Sequence, residues 1–188
     1  MILRRAAVLL VVLLMSALSA HGATIDEVFP VLHPIDPTAP FAFHQWPQKR
    51  RKWDNFGMTF TIWPDRATLF LDERLPLTAQ LRKLKDGLPA AEAVRRLRVR
   101  RWDLTAAQCP AIPKLFETLR ALPPVPVELP SPENVMYDAI GTRQDLFVNG
   151  VRYATSLGWR SHQDALQNAW VQLDLCSKQR PGRRVRAR

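Results

Sequence analysis

Glycine is scarce in this chain, seven among 188 residues. That scarcity argues against nucleotide cradles, in which backbone free of side chains approaches a phosphate closely. No Gly-x-Ser-x-Gly elbow, His-Glu-x-x-His pair or calcium-loop pattern occurs. Cys-x-x-Cys and His-x-x-x-His spacings are missing, so neither a metal nor a cofactor is expected. Beyond residue 20 no segment is apolar enough to span a membrane. There is no internal repeat and no sustained low-complexity stretch.

What is present begins with an export signal. Arg4 and Arg5 give a positive start, and residues 6–20 form an unbroken run of apolar and small side chains. The run is shorter than the roughly 20 residues a membrane-crossing helix needs. Small residues close it, so cleavage between Ser19 and Ala23 is expected, with residues 1–22 as the signal. An uncleaved N-terminal anchor is the alternative. No cysteine lies near the cut, which argues against a lipid anchor.

The net charge of +10 is unevenly distributed. Two arginines leave with the signal, and Lys178, Arg180, Arg183, Arg184, Arg186 and Arg188 crowd the C-terminus. Residues 21–177 hold 19 basic against 17 acidic side chains, a net of +2. The body is nearly neutral, and residues 178–188, poor in apolar content, are expected as a disordered basic tail. The two cysteines, Cys109 and Cys176, are expected to form a disulfide in an oxidising extracytoplasmic compartment.

Proline punctuates residues 23–55, which suggests an extended segment along the surface. Met58, Phe60 and Ile62 alternate with polar or bulky neighbours, as do Ala67, Leu69 and Leu71. A turn over residues 63–66 sets Ile62 against Ala67, Phe60 against Leu69 and Met58 against Leu71, all on one face of a hairpin. Helices are expected from Thr78 to about Gly87, from Pro89 to about Leu97, and over 110–122, where Ile112, Leu115, Phe116, Leu119 and Leu122 form a stripe. Residues 99–104 and 134–140 suggest strands. Asn149-Gly150 marks a second hairpin, pairing Val148 with Val151 and Leu146 with Tyr153. A last helix starts at residues 161–164 with a capping-box-like pattern and carries Leu166, Ala169, Trp170, Leu173 and Cys176 on one side.

These elements add up to one α+β domain over 56–177. It has a small antiparallel sheet of two hairpins plus one or two strands, with amphipathic helices packed on one face. The disulfide would clamp the 110–122 and last helices together.

Candidate chemistry is sparse. His162 lies beside Ser161 and Asp164, with Asp138 as a carboxylate that folding could bring near. Those neighbours also serve as helix caps, which leaves His162 in an exposed first turn. His44 and His33 sit in the proline-punctuated segment, where a surface or packing role explains them better than catalysis does. Trp63 with Arg66 and Trp159 with Arg160 lie at turns, where an aromatic beside a guanidinium can stack on a ligand or cover a hairpin end. Arg95, Arg96, Arg98, Arg100 and Arg101 could form a cationic face for an anionic polymer, or a solvated face balanced by acids.

The leading expectation is a periplasmic or secreted, non-enzymatic binding protein of the cell envelope. One alternative is an envelope hydrolase using His162 or His44 with a carboxylate such as Asp138. Another is a polyanion binder acting through the tail and Arg95 to Arg101.

Overall fold

The computed structural model describes residues 22–47, 55–84, 87–123, 144–155 and 160–185. The order of elements is α1 (Ile25–Leu32), β1 (Phe41–Gln45), β2 (Met58–Ile62), β3 (Arg66–Asp72), α2 (Leu77–Leu81), α3 (Ala90–Arg96), β4 (Val99–Thr105), α4 (Ile112–Arg120), β5 (Gln144–Val148), β6 (Val151–Thr155), α5 (Arg160–Lys178) and β7 (Arg183–Arg184). The strands form one antiparallel sheet in the order β6-β5-β1-β2-β3-β4-β7. Among the described residues no helix is long and apolar enough to cross a membrane.

Both hairpins adopt the register that their hydrophobic alternation dictates. Ile62 faces Ala67, Phe60 faces Leu69 and Met58 faces Leu71. Slipping one strand by one residue would turn its three apolar side chains onto the opposite face, away from the core they build. In the second hairpin Val148 faces Val151 and Leu146 faces Tyr153. Its turn needs positive φ at both central residues, and Asn149 and Gly150 supply +49° and +79°.

The two best amphipathic helices share one face of the sheet, as expected. Ile112, Leu115 and Leu119 of α4 and Leu166, Ala169 and Leu173 of α5 pack against Phe43, Phe60, Ile62, Leu69 and Leu104. Cys109 and Cys176 are bonded, with Cα atoms 5.5 Å apart, and tie the approach to α4 to the last turn of α5. The opposite face is also covered, by three shorter helices. There Val28, Phe29 and Leu32 of α1, Leu77 of α2, and Ala93 and Val94 of α3 pack on Trp46, Phe70 and Val99.

Residues 23–47, the described part of the proline-punctuated segment, therefore do not run as an extended surface stretch but supply a helix and a strand. Glu27 accepts hydrogen bonds from both Thr24 N–H and Oγ1–H at 2.8 and 2.9 Å, which starts α1 and places acidic charge in its first turn. Pro30 removes one ladder bond, but it is exposed and α1 stops two residues later. Beyond it, β1 fills the centre of the sheet between β2 and β5. Both of its faces are covered, so Phe41-Ala42-Phe43-His44 shows little polar alternation.

Residues 178–185, the described part of the expected basic tail, are ordered by pairing with the sheet. α5 runs to Lys178, and Arg183–Arg184 pairs with β4 as an edge strand. Gly182 makes this docking feasible: a Cβ there would overlap the Trp102 ring, so only glycine lets the backbone lie flat on the indole. Trp102 Nε1–H donates to Arg180 O at 3.2 Å, and Val185 N–H donates to Val99 O at 2.8 Å. The strand expected over 134–140 lies outside the described residues.

Candidate functional site

The histidines are placed by the sheet face that carries α1. His33, at the C-terminal end of α1, and His44, on β1, are both buried. His33 Nε2 donates to Asp72 Oδ1 at 2.9 Å. The other oxygen of Asp72 accepts from Gly57 N–H at 2.7 Å and from Leu77 N–H, the first residue of α2, at 2.9 Å. His44 Nε2 lies 2.9 Å from His33 O, and since a carbonyl only accepts, Nε2 carries the proton. Burial, reinforced by repulsion from His33, lowers the His44 pKa from 6.5 to about 4. Asp145, the cross-strand neighbour of His44, accepts from Trp46 Nε1–H at 3.1 Å and from Arg152 at 2.9 Å. These bonds commit the carboxylates to holding elements together, and the His44 Nε2 proton points at backbone.

His162 is not in an exposed first turn. It is buried, with Nε2 3.0 Å from Pro123 O, because the start of α5 packs against the end of the α4 region. Asp138, its expected partner, lies outside the described residues. The carboxylates that do approach histidines, Asp72 and Asp145, sit on β3 and β5. Asp72 falls one residue beyond the last alternating position of the first hairpin, which puts it on the opposite face from Leu71. That position was legible in the register, but its partner His33, 39 residues away, was not.

The turn aromatics behave differently from one another. Arg66 Cζ stacks 4.5 Å from the Trp63 ring centre and its guanidinium also meets Asp65, so Trp63 and Arg66 satisfy each other over the hairpin end. Trp159 and the Arg160 side chain lie outside the described residues. The row of arginines splits. Arg95 and Arg96 pair with Glu92 on α3. Arg101 pairs with Asp103 and stacks over Phe70.

Arg98 and Arg100 turn instead to an open groove of about 490 Å³ at the β4–β7 edge. Glu73, Arg74, Arg98, Arg100, Pro181, Gly182 and Arg184 line it, four guanidiniums against one carboxylate. Glu73 is taken by Arg100 at 2.8 Å. Arg74, Arg98 and Arg184 are exposed, and no described carboxylate neutralises them. Arg74 has φ of +63°, a left-handed conformation that costs a non-glycine residue about 1 kcal/mol or more.

The floor beneath these arginines is held firmly. Gln80, from α2, donates to Leu75 O at 2.7 Å and Arg98 O at 3.0 Å, and accepts from Arg98 N–H at 2.7 Å. Glu73 N–H also donates to Arg98 O at 2.9 Å. The corner that presents Arg74 is thus stapled to the residue that presents Arg98. Chemically, the groove can accept an oxyanion, since guanidinium forks match the spacing of phosphate and carboxylate oxygens. Sequence reasoning singled out Arg98, Arg100 and Arg184 but missed Glu73 and Arg74, because only the β3–β4–β7 order brings them together. No protein-family model matches the chain, and no curated protein or solved structure matches it significantly.

Proposed function

We propose that this protein is a non-enzymatic, extracytoplasmic binding protein that takes an anionic component of the envelope in the arginine groove. The observation that carries this reading is the gathering of Arg74, Arg98 and Arg184 around one groove, where the lining carboxylate Glu73 is paired with Arg100 and no other described carboxylate pairs with them. Like charges held together on a stapled frame raise the energy of the empty site, and an anion relieves it. The signal-like N-terminus and the Cys109–Cys176 bond support the compartment. A hydrolase has weaker support, because His44 and His162 are buried and each has Nε2 against a backbone carbonyl.

Retention of the mature protein on immobilised lipopolysaccharide and on heparin tests the reading. Arg98→Gln combined with Arg184→Gln should elute at clearly lower salt than the unmodified protein, since each lost phosphate-type contact reduces the salt slope by about one. Co-elution of the two proteins on both supports would sink the proposal.

A further inference from the structure

The groove has a wall that belongs to the chain's own end. Pro181, Gly182 and Arg184 line it from β7, whereas Glu73, Arg74, Arg98 and Arg100 line it from the body of the domain. β7 is only two residues long, and both of its cross-strand pairs are arginine on arginine: Arg101 with Arg183, and Arg100 with Arg184. Like charges directly opposite across an antiparallel pair oppose the pairing.

The two pairs are not compensated equally. Asp103 bridges the first, binding Arg101 through Oδ1 and Arg183 through Oδ2. The second has Glu73 on Arg100 alone, and no described carboxylate reaches Arg184. Besides the Asp103 bridge, the strand is held down by the fit of Gly182 on Trp102 and the bonds from Trp102 Nε1 and Val185 N–H. Asp103 thus spans the first pair, and no described carboxylate spans the second.

Resting on the anion-binding reading above, we propose that β7 is a ligand-dependent clasp, closed by a phosphate-type oxyanion of at least two charges bridging Arg100 and Arg184. A lone carboxylate offers one charge and two oxygens, which a single fork satisfies. A phosphomonoester or diphosphate supplies enough oxygens and charge for Arg100, Arg184 and the adjacent Arg98 together. An anion that contacts both walls binds the docked strand in preference to the free one. By linkage, docking and binding then strengthen each other by the same factor.

The test follows backbone exchange at Val185 in the mature protein, with inorganic pyrophosphate as probe and calorimetry to measure its binding. Saturating pyrophosphate should slow exchange at Val185 by about tenfold, within the range usual for coupled sites, and leave Phe60 in β2 unaffected. Arg184→Gln should slow exchange at Val185 without ligand, because the repulsion is gone, and abolish the further slowing by pyrophosphate. Gly182→Ala should undock β7 and weaken pyrophosphate binding about tenfold, matching the coupling factor. Phosphatidylcholine vesicles containing phosphatidic acid form a second arm: protection by vesicles assigns a lipid headgroup, and protection by pyrophosphate alone assigns a free phosphate compound. Pyrophosphate binding with unchanged exchange at Val185 overturns the clasp and leaves the groove standing. If neither pyrophosphate nor the vesicles bind, the groove reading falls and the clasp with it.

Discussion

Asp72 accepts hydrogen bonds from His33, Gly57 and Leu77, which lie in three separate parts of the chain. Removing a buried acceptor leaves its donors stranded, at about 1–3 kcal/mol for each group. Asp72→Ala should therefore cost about 3 kcal/mol or more, read as a lower urea midpoint. His44 makes a second prediction. Its ring faces His33, Asp145 and Arg152, and burial keeps it neutral down to a pKa of about 4, against 6.5 for the free side chain. Below pH 6.5 the unfolded chain takes up a proton that the folded chain refuses. The stabilising contribution of the neutral ring is thus complete above pH 6.5 and declines as pH falls towards 4, by up to about 3 kcal/mol. His44→Gln keeps a donor for His33 O and should flatten this part of the melting temperature against pH. An identical pH profile in the variant would assign the dependence elsewhere. Neither role was legible in the sequence, because each depends on a partner that only the sheet order supplies.

At the scale of elements, local pattern was a good guide where a strand or helix covers one face, and a poor one where it covers two. The hairpin at 58–71 and helices α4 and α5 followed from periodicity alone. β1 did not, since burial on both sides erases the alternation, and α1 was hidden by Pro30. β7 was missed for another reason: composition described its charge but not the shape match of Gly182 to Trp102. Its docking carries its own pH signature through Asp103. Burial raises the Asp103 pKa, but bonds from Arg101 and Arg183 outweigh it and hold the carboxyl below 3.8. The carboxylate's contribution is present above that value and lost as pH falls through the lower folded pKa. Asp103→Asn should reproduce at neutral pH the loosening expected in acid, seen as faster exchange at Val185. Unchanged exchange in the variant would show that the bridge contributes nothing to docking.

For the molecule as a whole, the Cys109–Cys176 bond closes a loop of 67 residues that includes the last hairpin. Chain-entropy reasoning assigns such a link about 4 kcal/mol. Reduction should lower the unfolding midpoint accordingly, and denatured, unreduced protein should show no labelled thiol. Labelling at both cysteines would remove the clamp. The bond also has a consequence far from the core. Only residues 177–182 separate Cys176 from β7, so the bond fixes the point from which the C-terminus reaches the sheet edge. A short leash from a fixed post keeps the local concentration of the two-residue strand high at β4, whereas a long one dilutes it. Cutting that post by reduction should therefore weaken the arginine groove before it unfolds the domain, making the oxidation state of the two bonded sulfurs audible at the arginines of the sheet edge.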